Sequence, residues 1–296
     1  MLGRSSRYDS REGLKASARP PELHAYSLVV LALDDVGSAD GEVLGPRVPS
    51  GELRRGDKAE LVHKLKKHLI YLGYLGTDNL GIENNFDRHL KHAIEKYQEF
   101  YGLNVTGIVD MNTITSLRKP RCGFPDFLNP QAHSKSLYSF YPGNPKWTKT
   151  QLRYYIVPTT PDPCIPPIEE ALYEWQRVTP FRFPIAGNSF PDIKFSFQCG
   201  QHGECAEAFY PESRSIAHAS PPPDGKIHFN AYMRWSTAGD ADAFDIKTTA
   251  MHDIGHALGL MHSAVEDSIM FSQLAPGVTR NIHADDIEGI RVLYEF

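Results

Sequence analysis

Apolar residues recur at helical spacing in two early stretches of the chain. Leu61, Leu65, Leu69 and Leu72 fall on one face of a helix that Gly73-Tyr74-Leu75-Gly76 brings to an end. Phe86 to Tyr101 repeats the stripe through Leu90, Ile94, Tyr97, Phe100 and Tyr101, and Gly102 stops it. A third short helix is predicted from Asp110, its cap, to Leu117, closing before Pro120. Together these make a small all-α bundle of three helices over residues 56–118. Further on the period changes. Leu152–Val157, Asp192–Gln198 and Lys226–Asn230 read as strands. Pro166-Pro167-Ile168-Glu169-Glu170 starts a helix, with proline in the first turn, whose stripe is Ile168, Leu172, Trp175 and Val178. Ala241–Leu260 is predicted as one long helix and Asp285–Leu293 as a final amphipathic one. A strand-rich middle flanked by helices reads as α+β.

The intervening segments divide the chain. Residues 1–55 are polar, rich in Gly, Ser, Arg and Pro, and read as leader and linker. Residues 119–136 form a second connector, leaving 137–296 as the larger domain; 296 residues suit two domains. A net charge of −5 gives no support to a nucleic-acid-binding surface. No apolar run reaches transmembrane length. Ala25–Leu33 has the length of a secretory signal core, although Asp34 and Asp35 follow it at once. Four cysteines make no disulfide scaffold. Cys199 and Cys205 are close enough in sequence to bridge, Cys122 and Cys164 lie far apart, and at least one thiol stays free.

Thirteen histidines are the unusual feature of the composition. His252 and His256 stand four apart on the predicted helix, so both rings leave one face and can share a metal ion. Gly259 can turn the chain back, letting His262 supply a third ligand and leaving a fourth position open, as in catalytic zinc sites. About 0.002 matches to this H-x-x-x-H-x-x-G-x-x-H spacing are expected by chance at this composition, so the spacing points to metal.

The same segment resembles the zinc-binding helix of the metzincins, and Met270 in Asp267-Ser268-Ile269-Met270 stands where that clan has its turn methionine. Pro120–Asp126 resembles the cysteine-switch motif of the matrix metalloproteinases. Tyr138–Lys149 resembles the start of the mature domain in their plant members, and Asp285–Tyr294 their closing helix. The likeness covers residues 57–296, with a peptidoglycan-binding-like prodomain first and no hemopexin-like segment within the chain. It implies a zinc endopeptidase with a twisted mixed sheet and an active-site helix, acting on extracellular proteins or peptides, secreted and monomeric. It also implies a latent precursor in which Cys122 plugs the zinc site, Arg121 pairs with Asp126, and an activating protease removes the prodomain. His202, His218 and His228 are spaced as the family's structural zinc site, with Glu204 where an aspartate usually stands.

Two departures change the expected chemistry. The family has Glu after the first ligand histidine, and this chain has Asp253. Its reach as a general base is shorter by roughly 1–1.5 Å, so reduced activity is expected, with an inactive pseudoprotease that binds zinc and peptides as the alternative. Cys205–Arg214 lacks the usual Asp-Gly, and Asn230 and Met233 replace acidic ligands, so Ca2+ binding is expected to be weak. Thr248, one turn before His252, is expected to line an open, apolar pocket for the residue after the cut. A glycan-binding role for the first bundle is a third, more distant reading.

Overall fold

The computed structural model describes residues 52–57, 60–78, 84–128, 138–187, 189–202 and 208–296. The Ala25–Leu33 stretch, Glu204 and Cys205 lie outside the described residues.

Helices α1 (Glu60–Tyr71), α2 (Arg88–Phe100) and α3 (Met111–Arg118) form the first unit. Asp87 and Asp110 cap α2 and α3, each accepting from the amide three residues on, Leu90 and Thr113. Leu65, Leu69, Leu90, Ile94, Tyr97 and Leu117 share one core. Leu53 is buried in that core and pairs with Val109, so the unit starts within the segment read from sequence as leader.

The second unit has a four-stranded sheet in the order β1 (Tyr154–Ile156), β2 (Ile193–Gln198), β4 (Lys226–Asn230), β3 (Ala217–Ala219). β1, β2 and β4 run parallel, while β3 is antiparallel and stands at the edge. A short parallel pair, β5 (Trp235–Ser236) and β6 (Phe244–Asp245), follows. Helix α4 (Ile165–Val178) covers the sheet and packs on α5 (Ile246–Ala257), where the Trp175 indole donates to the Met251 carbonyl at 2.8 Å. The closing helix is α6 (Ala284–Tyr294).

Helix α5 is shorter than its sequence pattern. Ala241 and Ala243 favour helix, but Asp245 caps instead, its carboxylate accepting from Thr248 N at 2.7 Å while Phe244–Asp245 pairs as strand. At the other end Gly259 takes φ +105°, and the Leu260 amide turns back to the Gly255 carbonyl at 3.0 Å.

Candidate active site

Helix α5 is buried along nearly its whole length, which fixes the rotation of every side chain it carries. A β-carbon at Gly255 would lie 2.3 Å from Met270 Sδ and 3.2 Å from Trp175, so this turn needs glycine for the methionine to sit beneath it. The reversal at Gly259 then brings His262 against His256.

The three imidazoles have one tautomer each. His252 Nδ1 lies 2.6 Å from the Ile269 carbonyl, His256 Nδ1 2.8 Å from the Leu260 carbonyl, and His262 Nδ1 2.9 Å from Asp126 Oδ1. All three partners only accept, so every Nδ1 carries the proton and every Nε2 presents a lone pair. Those lone pairs face one another: His256 Nε2 is 3.1 Å from His252 Nε2 and 3.2 Å from His262 Nε2. Burial pushes the basicity of His252 and His256 well below the usual imidazole range, and the neighbouring imidazoles add to this. Neutral acceptors this close need a cation between them. Tetrahedral zinc, with bonds of about 2.0–2.1 Å to nitrogen and 2.3 Å to sulfur, would set nitrogens about 3.3 Å apart and sulfur about 3.6 Å from nitrogen. Cys122 Sγ stands 3.5 Å from His256 Nε2, and the four groups form one buried cluster. The donor set fits zinc.

Asp253 is fully buried, with Oδ1 3.9 Å from Cys122 Sγ and Oδ2 without a hydrogen-bond partner among the described residues. Burial pushes its carboxyl well above the usual range, with the Cys122 thiol opposing. A buried carboxylate oxygen left without a partner calls for a reason, and chemistry at the adjoining centre supplies one.

Cys122 is held by main chain on both sides. Arg121 N donates to the Arg214 carbonyl, Ile216 N to Arg121 O, and Gly123 N to Ala217 O along the edge of the sheet. On the opposite flank Cys122 N donates to Ser272 O and Leu274 N to Pro120 O. The segment thus fills the cleft as an added strand. Arg121 and Asp126 are buried and paired twice, at 2.7 and 3.1 Å. Burial opposes ionisation of Asp126, but Arg121 and His262 hold its carboxyl well below the usual carboxylate range.

His202, His218 and His228 meet at a second buried cluster, with ring nitrogens 3.3 Å apart between His202 and His218 and 3.2 Å between His218 and His228. His218 and His228 face each other across the β3–β4 pair, a strand pairing too short to read from the sequence. Asn230 is committed to main chain at both ends: its amide donates to Ser215 O and its oxygen accepts from Tyr232 N, each at 2.9 Å. Cys122, Cys164 and Cys199 form no disulfide among the described residues.

The pocket beside Thr248 differs from the sequence expectation. Thr248 is buried and its hydroxyl accepts from Arg280 N at 3.1 Å. The cavity it lines with His252, Ile269, Phe271 and Arg280 has only about 10 Å3, room for about one water. Cys122 of the inserted segment is among its lining residues. The Arg280 guanidinium lies 5.2 Å over the Phe271 ring and donates to the Gln273 carbonyl, so one wall is cationic. The sequence gives no hint of it, because Arg280 lies 32 positions from Thr248.

The model of the matrixin peptidase family matches residues 146–295, and a putative peptidoglycan-binding domain matches residues 58–117. Metalloendoproteinase 2-MMP of Arabidopsis thaliana is 34% identical over 272 residues, covering 81% of this chain and 72% of its own length. Metalloendoproteinase 4-MMP of the same plant is 30% identical over 294 residues, 93% of this chain and 84% of its own. Stromelysin-2 of Rattus norvegicus is 37% identical over 216 residues, 68% of this chain but 42% of its own. No helix among the described residues is long and apolar enough to cross a membrane. With the ligand helix and the methionine turn both inside the matched span, the chain belongs to the matrixin family of zinc-dependent metalloendopeptidases, in the metzincin fold.

Proposed function

We propose that this metalloendopeptidase is made as a latent precursor: residues 1–55 a leader, 56–118 an inhibitory helical domain, 119–136 the switch and activation linker, and 137–296 the catalytic domain. His252, His256 and His262 hold the catalytic zinc, which when bound supplies a Lewis acid for the scissile carbonyl. Asp253 takes the proton of the attacking water and passes it to the leaving amine. Cys122 occupies the place that water needs, and the Arg121–Asp126 pair holds the switch segment in the cleft. Met270 supports the ligands from below. The observation that carries this reading is the convergence of three Nε2 lone pairs and one thiol on a single point.

His202, His218 and His228 hold a second, structural zinc, with Glu204 as its fourth ligand. Asn230, already bound to main chain at both ends, is no ligand for Ca2+, so calcium binding is weak or lost. The enzyme acts outside the cell as a monomer, after an activating protease cuts the linker. Zinc content and cleavage of a generic peptide, before and after removal of the N-terminal unit, test the whole reading. Two zinc ions per chain, with cleavage that appears on removal and is abolished by a chelator and by His256→Ala, are expected. A chain without zinc at the first cluster would overturn it.

One observation favours a second reading, a pseudoprotease. The 3.9 Å from Asp253 Oδ1 to Cys122 Sγ exceeds the roughly 2.6–3.2 Å that general-base contact needs. The same assay decides: zinc bound without any chelator-sensitive cleavage means a binding protein.

A further inference from the structure

His252 and His256 place their Nδ1–H groups on carbonyls of their own domain, Ile269 and Leu260. His262 differs. Its Nδ1 lies 2.9 Å from Oδ1 of Asp126, which precedes it by 136 residues and sits in the switch segment. The main chain of Pro125, in the same segment, also lies in hydrogen-bonding contact with the imidazole. Both side chains of the His262–Asp126 contact are fully buried. Asp126 is itself immobilised: Arg121 Nη2 donates to Oδ1 at 2.7 Å, while Arg121 Nη1, Tyr74 Oη and Tyr101 Oη donate to Oδ2 at 3.1, 2.9 and 2.8 Å. Its own amide is tied to the Leu72 carbonyl at 3.0 Å. A carboxylate so held cannot swing away from the imidazole.

We propose that Asp126 is a positioning residue for the metal centre, acting through His262, so that the switch segment strengthens zinc binding as well as blocking the fourth position. A carboxylate on the far nitrogen of a ligand histidine fixes the tautomer, orients the ring and makes the metal-facing nitrogen a better donor. Losing such a partner weakens metal binding by about 10–100-fold. The precursor is therefore the form that loads and retains zinc, and activation removes two supports at once, the thiol and the partner of His262.

The proposal rests on the catalytic zinc reading above, and the experiment separates the two. In the full chain carrying Cys122→Ser, so that the thiol contributes nothing, zinc is titrated against a competing chelator and counted per chain. Adding Asp126→Asn is expected to raise the dissociation constant at the catalytic centre by about 10–100-fold. Adding Arg121→Gln, which breaks the buried pair but leaves Oδ1 of Asp126 beside His262, is expected to weaken zinc binding less than Asp126→Asn does. Equal effects of the two substitutions, or none from Asp126→Asn, overturn the proposal and leave the zinc reading intact. Absence of zinc from the Cys122→Ser chain overturns both. Should Asp126→Asn fail to fold, nitrogen-labelled histidine in the zinc-loaded wild-type chain decides. The His262 Nδ1–H proton, bonded to a charged acceptor, is expected downfield of those of His252 and His256. A shift equal to theirs overturns the proposal.

Discussion

Replacing Asp253 by Glu tests the catalytic reading most directly. On the proposed reading the Cys122 sulfur marks the place that the attacking water would take, and Asp253 Oδ1 is 3.9 Å from it. General-base contact with a water oxygen needs about 2.6–3.2 Å, and the larger sulfur accounts for part of the difference, so the carboxylate falls short by at most roughly 0.7–1.3 Å. One added methylene extends the side chain by about that distance. A misplacement of about 1 Å costs on the order of 10²-fold in rate, about 2.7 kcal/mol of barrier. Asp253→Glu is therefore expected to raise kcat/KM by up to about 10²-fold, mostly in kcat, because the proton transfer and not substrate binding is being repaired. The assay is steady-state cleavage of a fluorogenic peptide after removal of the N-terminal unit, with zinc content and melting temperature measured alongside. In the precursor the longer side chain would press on the Cys122 thiol, so latency should weaken as well. An unchanged kcat with zinc and stability preserved would refute the argument, since reach would then not be what limits the enzyme.

Three further outcomes follow from the geometry. Cys122→Ser should raise the activity of the intact precursor by on the order of tenfold or more without any cut, because a hydroxyl is a poor zinc ligand; unchanged latency in the peptide assay would count against the switch. Gly255→Ala forces a β-carbon to within 2.3 Å of Met270 Sδ and should cost about 1–3 kcal/mol, lowering the melting temperature by several degrees together with zinc affinity. His68 is buried, and burial, reinforced by Arg121, lowers its pKa to about 3. The unfolded chain then binds the extra proton between about pH 6.5 and 3, so stability falls as pH drops through that window, by up to about 1.4 kcal/mol per pH unit. Denaturant unfolding at several pH values should show a shallower slope for His68→Asn, and identical slopes would contradict it.

The ligand helix was legible because i, i+4 spacing and a following glycine are local signals, and His252, His256, Gly259 and His262 lie within eleven positions of one another. Helices α1 and α2 were legible from their continuous stripes, and α3 from its Asp110 cap and the following proline. What stayed hidden depends on the third dimension. β3 is three residues long, too short for alternation to register, yet it places His218 opposite His228. The start of α5 was misread because helix-favouring alanines precede a capping aspartate that only tertiary pairing reveals. Leu53 looked like linker, since one apolar residue among polar ones carries no period. Asp126 was legible as the partner of Arg121, five residues away, but not as the partner of His262, 136 residues away. The cationic wall of the Thr248 pocket likewise comes from Arg280, distant in sequence.

The strand-like seating of residues 120–123 separates two events that are easily treated as one. Five main-chain hydrogen bonds and the buried Arg121–Asp126 pair grip the segment from both flanks, all of them between described residues outside 129–137. Cutting the connector there leaves every one of these contacts in place. On the proposed reading, a nicked molecule would stay silent until the segment dissociates. On the proposed latent-precursor reading, half-withdrawal would strand two buried charges, so the lag between scission and first turnover would measure the grip of the cleft itself.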